Sequence, residues 1–221
     1  ISLEAKTIDR IKISVPNLLN KVMEEKTYSK EHQDLFAKKI IGNEGFFLDI
    51  GCRTPVHENN TKILEELGWQ GMMFDYDMTF INQCKEQRLA KSFCTDVTSE
   101  NFIEILNNNQ CPDVIDYISM DVDEGSLPCL KNILNNGFKF KCMTFEHTWD
   151  LKDPEKQTCV LESRELLKSL GYIALFEDVS LAYGEHTGKP FEDWWVHPLL
   201  KVDIKPKKEL MHTQIISLLG N

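Results

Sequence analysis

"FFLDIGCRTPVHENNTKILEELGWQGMMFDYD", Phe46–Asp77, holds the pattern on which the fold turns. Its opening run Phe46–Ile50 is apolar except for Asp49, and Gly51 follows. A helical stretch near 59–67 comes next. The second apolar run, Met72–Asp75, again ends in an acid. A strand, a turn and a helix leading to another strand form the unit of a parallel sheet. The alternation continues down the chain. Further strands are expected at Ala90–Cys94, Ile115–Met120, Cys142–Glu146 and Tyr172–Glu177, with helices near 79–88, 99–108, 126–135 and 159–170. Strands that are apolar almost throughout need cover on both faces. The expected class is therefore α/β, with a Rossmann-like, doubly wound, mostly parallel sheet. "KPFEDWWVHPLLKV" (189–202) is expected to add a final antiparallel strand or a lid. Trp194 and Trp195 would point to opposite faces of that strand, one into the core and one toward an acceptor pocket or a dimer seam.

Residues 1–42 read as an N-terminal helical extension. Leu18, Leu19, Val22 and Met23 form one apolar stripe, and a second helix runs from about Ser29 to Ile41, stopped by Gly42. Residues 43–221 form the main domain. A chain of 221 residues suits one such domain with a small extension. The formal net charge of −10 repels phosphate backbones, so nucleic acid is not an expected partner. No apolar run approaches the roughly 20 residues that span a bilayer, and no polybasic patch offers a membrane contact. The seven cysteines show no CxxC spacing, which points to reduced, mostly buried thiols and a cytoplasmic location. A homodimer is an open expectation.

In an open α/β sheet the ligand sits beyond the carboxyl ends of the strands, where the strand order reverses. The acids fall at such ends: Asp49, Asp75 with Asp77, Asp96, Asp121 with Asp123, and Glu146 beside His147. A cleft rimmed with carboxylates suits a phosphate-rich ligand poorly. The first loop has neither GxGxxG nor GxxxxGK[ST]. S-adenosylmethionine (SAM), a sulfonium with an amino group, two ribose hydroxyls and an adenine, fits such a rim better. Gly51 lets the backbone approach the methionine part, Asp75 can accept both ribose hydroxyls, and Asp96 can accept from the adenine amino group.

The chain from about 44 to 178 also resembles the FkbM-type SAM-dependent methyltransferases. The family's D-x-G loop, S-N-T-like triplet, L-E pair, G-W-x-G and strand-ending acid correspond to Asp49-Ile50-Gly51, Asn59-Asn60-Thr61, Leu64-Glu65, Gly68-Trp69-Gln70-Gly71 and Asp75. "IDYISMDVDEGSLPCL" (115–130) resembles its S-x-D-V-E-G-x-E-x-x-x-L segment through Ser119, Asp121, Val122 and Leu130. "MTFEHTWD" (143–150) resembles V-E-H-N through Glu146 and His147, and "LLKSLGYIAL" (166–175) a late helix–strand junction. The resemblance implies a SAM-dependent methyltransferase, and together with the acids at the strand ends it gives expected cofactor contacts at Asp49, Gly51, Cys52, Asn60, Thr61, Asp75 and Asp96. It puts Asp121 near the methyl group and Glu146 or His147 near the acceptor. The expected reaction is O-methylation of a small-molecule or carbohydrate hydroxyl. Acid–base chemistry is preferred to a divalent metal on Asp121, Asp123 and Glu146, and no metal ligand is assigned. Three features depart from the family. Pro55 replaces the second loop glycine, Asp75 is a shorter acid, and Asp123-Glu124-Gly125-Ser126 replaces E-G-x-E. Proline cannot take a left-handed turn or donate a hydrogen bond. Two other readings stay open: a catalytically silent scaffold, and an enzyme for another nucleoside or sugar-nucleotide ligand.

Overall fold

The computed structural model describes residues 25–147, 154–181 and 187–219. The apolar stripe at Leu18–Met23 lies outside them. Helix α1 (Gln33–Ile41) precedes β1 (Phe46–Ile50), α2 (Lys62–Glu66), β2 (Gln70–Asp75), α3 (Met78–Gln87) and β3 (Lys91–Cys94). Helix α4 (Glu100–Asn108), β4 (Val114–Met120), α5 (Ser126–Asn135), β5 (Lys139–Glu146) and α6 (Pro154–Ser169) follow. Strands β6 (Ile173–Ser180), β7 (Pro190–Val196) and β8 (Lys207–Lys208) lead to α7 (His212–Leu219). The eight strands form one sheet in the order β3-β2-β1-β4-β5-β7-β6-β8. Strands β1 to β5 pair in parallel, and β7 runs antiparallel between β5 and β6. The sheet is doubly wound: the order reverses at β1, which has β2 on one side and β4 on the other.

Alternation along each strand sends neighbours to opposite faces. Leu48 and Ile50 join Phe74, Phe102 and Leu130 in one buried cluster. Phe47 joins Met73, Tyr117 and Phe176 in the other. Trp195 belongs to the first cluster and Trp194 to the second, each 0% exposed. Both indoles are therefore core. The expectation that one lines an acceptor pocket or a dimer seam is corrected, because β7 is an interior strand covered on both faces. Helix α1 packs onto the same sheet, with the Phe36 ring tilted against Trp194 at a centroid distance of 4.8 Å. It begins at Gln33 rather than near Ser29 because Asp34 draws the preceding residues into a turn. Its carboxylate accepts from the hydroxyls of Thr27 and Ser29, each at 2.6 Å, and from the Tyr28 N–H at 2.8 Å. Among the described residues no helix is long and apolar enough to cross a membrane.

Candidate functional site

The carboxyl ends of β1 to β5 border a cleft of about 1050 Å³. Of the ten residues expected from sequence to serve the site, all but Thr61 and His147 line it.

The wall begins with the loop after β1. Gly51 has φ 84, and a Cβ there would stand 1.7 Å from the Asp121 carbonyl oxygen. A glycine is needed on both counts: the left-handed turn, and the close approach of the loops after β1 and β4. The Asp49 carboxylate is buried and accepts from Asn59 Nδ2 at 3.0 Å and from the Thr61 hydroxyl at 2.7 Å. Burial raises its pKa, opposed by those bonds and by the charge of Arg88. Thr61 thus serves the site from behind, holding Asp49. Asn60 faces the cleft and donates to the Ser119 hydroxyl at 2.9 Å.

Arg88 ties this loop down from a position with no exposed side-chain surface. It donates to Glu65 Oε1 at 2.9 Å, Asn59 Oδ1 at 2.9 Å, the Pro55 carbonyl at 3.0 Å and the Thr61 hydroxyl at 3.1 Å. Pro55 has no N–H to give, but its carbonyl is an anchoring point. The loop runs along the cleft without a second glycine, with Arg53, Thr54, His57 and Glu58 in the wall on either side of Pro55.

Asp75 ends β2 in the wall. Its two oxygens accept one backbone N–H each, from Arg53 and Asp77, both at 2.9 Å. These bonds fix the carboxylate plane and leave further lone pairs on both oxygens. Asp77 is committed elsewhere: its side chain caps α3 by accepting from the Thr79 N–H at 2.7 Å. Asp96 is exposed, and Oδ1 accepts from the N–H and hydroxyl of Thr98 at 2.8 and 2.7 Å, which lowers its pKa. Tyr76, Phe80 and Val97 supply an apolar wall between these two acids.

Asp121 follows β4 and Glu146 ends β5, and their carboxyl groups are hydrogen-bonded to each other. Burial, the Asp121 charge and that bond push Glu146 well above the usual carboxyl range. Burial raises Asp121 too, with the Glu146 bond pulling it back. Both carboxyls therefore hold a proton more tightly than usual, Glu146 the more strongly, so that Glu146 is the member placed to donate and Asp121 the one to accept.

His147 lies outside the wall, buried, with Nε2 3.4 Å from Asp193 Oδ1. Arg164 grips Asp193 through two bonds of 2.7 Å and reaches Asp178 at 2.7 Å. Against burial, Arg164 and His147 hold Asp193 far below the usual range. His147, Asp178 and Asp193 are the described residues whose ligating atoms converge within 4.8 Å. The Arg164 guanidinium already supplies the positive charge there.

No protein-family model matches the chain, and no curated protein does. Solved structures do match. An rRNA-methylase, described as putative, from Clostridium thermocellum superposes with a TM-score of 0.54 at 12% identity, covering 78% of this chain and 97% of that one. An O-methyltransferase from Bacillus cereus in complex with S-adenosylhomocysteine (SAH) gives 0.52 at 13% identity, covering 76% and 80%. WbdD, a bifunctional kinase-methyltransferase, gives 0.56 at 15%, covering 89% of this chain and 41% of its own. The fold is that of the class I SAM-dependent methyltransferases.

Within this methyltransferase fold, sequence reasoning missed three residues of the cleft and its support. Arg88 follows α3 and reads as a surface cation. Asn59 reads as the start of a helix, yet its buried amide bonds Asp49, the Cys52 carbonyl and the Thr54 carbonyl, so α2 begins three residues later. Arg53 sits in the wall at φ 43, as do Glu58 at φ 53 and Asp123 at φ 47. Left-handed non-glycine residues gather where a site imposes them, and that signal is not written in residue type.

Proposed function

We propose that this protein transfers a methyl group from SAM to a hydroxyl of a small-molecule or carbohydrate acceptor, as the likeness to FkbM-type enzymes implies. The order of groups along the cleft carries this reading. The apolar wall at Tyr76, Phe80 and Val97 takes the adenine, with Asp96 at its edge. Asp75, held by two backbone N–H groups, takes the ribose diol. The sulfonium then falls over β1 and β4, beside Asp121. The acceptor enters from the side of β5 and β7, where Glu146 and Phe191 line the cleft.

Methyl transfer asks little covalent help of a protein, because the sulfonium is already activated. Holding acceptor oxygen, methyl and sulfur in line supplies much of the acceleration. A hydroxyl acceptor must also lose its proton. The Asp121 carboxylate is the base for it, and Glu146, protonated, orients Asp121 and keeps a second negative charge out of the site. The acidic wall favours the sulfonium substrate over the neutral thioether product.

Asp75→Ala tests the arrangement. It is expected to weaken SAH by about 100-fold or more, since each of two hydrogen bonds to a charged acceptor is worth about 1.5–3 kcal/mol. Isothermal titration with wild type and variant measures this. Equal affinities would remove the ribose from Asp75 and the ligand order with it.

A further inference from the structure

We propose that Arg53 binds the carboxylate of the amino-acid end of SAM, an assignment that rests on the methyl-transfer reading above. The wall of the cleft is dominated by acids, among them Asp49, Asp75, Asp121, Asp123 and Glu146. These suit the ammonium, the sulfonium and the ribose hydroxyls. The ligand also carries one carboxylate, which meets like charge on every side unless a cation faces it. The wall holds two Lys or Arg residues, Lys30 and Arg53.

Position separates the two. With adenine beyond β3 and ribose at the end of β2, the amino-acid end extends over β1 and β4. Arg53 follows β1 directly, between Asp75 and Asp121. Lys30 enters from the segment before α1 with Gln33, whose amide lies 3.3 Å from Glu192 on β7, at the acceptor end.

The backbone of Arg53 is fixed at both ends. Its N–H donates to Asp75 Oδ2 at 2.9 Å, and its carbonyl accepts from the Cys84 thiol at 3.7 Å. Its φ of 43 lies in the left-handed region that non-glycine residues seldom adopt. The conformation persists because the surroundings hold it, and it launches the side chain from a set point beside the ribose carboxylate. The charge of Arg53 reaches Asp121 and opposes the rise of that carboxyl. Among the described residues no carboxylate is within ion-pair distance of the guanidinium. Its five N–H donors, in planar array, match a carboxylate through two parallel bonds. One contact would then both pair the ligand's negative charge and set its distance from the ribose.

The test compares SAH with its decarboxylated analogue, S-adenosyl-3-thiopropylamine, by isothermal titration. Wild type is expected to bind SAH the more tightly. Arg53→Gln is expected to weaken SAH about 10–100-fold, the range for a charge-assisted pair, while the analogue binds as before. Arg53→Lys keeps the charge and is expected to fall between. If Arg53→Gln leaves SAH unchanged, or weakens both ligands equally, the carboxylate assignment is overturned. If wild type binds neither ligand, the methyl-transfer reading fails and takes this assignment with it.

Discussion

Asp121→Asn is expected to lower kcat about 1000-fold, within the range for loss of a positioned base. SAH affinity and the thermal midpoint should change little, because Asn fills the same volume and still accepts a hydrogen bond. Glu146→Gln sharpens the assignment. Gln imitates the protonated acid and donates to Asp121 as Glu146 does, so substantial turnover should survive. The pH profile has a definite sign. Asp121 accepts a proton only when ionised, and burial raises its pKa. Turnover should therefore fall as pH drops through a value above the ordinary carboxyl range, and the residual activity of Asp121→Asn should lack that limb. If Glu146→Gln is as inactive as Asp121→Asn, the base is Glu146 instead.

Arg88→Ala has the largest expected effect on stability. It strips a buried cation from Glu65 and takes from the Pro55 carbonyl its side-chain donor, while Asn59 Oδ1 keeps only its bonds from Thr61. Breaking a buried pair by removing one partner costs about 3–5 kcal/mol. At about 2–4 °C per kcal/mol for a chain of this size, the thermal midpoint should drop by roughly 6–20 °C. Lys at 88 should restore little, because one ammonium cannot reach four acceptors that the planar guanidinium fans across. The folded variant should also bind SAH more weakly, since Arg88 sets the loop that carries Gly51 and Arg53. A midpoint within about 2 °C of wild type would mean the loop is held by other contacts.

These two sites show what sequence could and could not convey. Asp121 and Glu146 were legible because parallel strands place their carboxyl ends along one edge, so an acid ending each apolar run implies a shared cleft. Strand β1 and helix α5 matched their expected bounds of 46–50 and 126–135, each marked by a dense apolar pattern. Strand β2 instead begins at Gln70, where a polar residue and a glycine pair in register with Phe46 and Phe47. That pairing depends on a distant strand and leaves no apolar trace. Strand β8, two exposed lysines, is invisible for the same reason. His147 illustrates the limit of reading neighbours together. Successive residues at a strand end face opposite ways, so Glu146 looks into the cleft while His147 meets Asp193. Arg88 is illegible because its four partners lie 23 to 33 residues away in sequence. Pro55 looked like a defect when measured against a glycine loop. In the folded chain its carbonyl is one of the points by which that loop is pinned.

Everything proposed for this cleft depends on its holding SAM. Isothermal titration of the wild-type protein with SAM and with SAH tests it most directly. Both ligands are expected to bind saturably, with one site per chain. No heat from either ligand at millimolar concentration would contradict it.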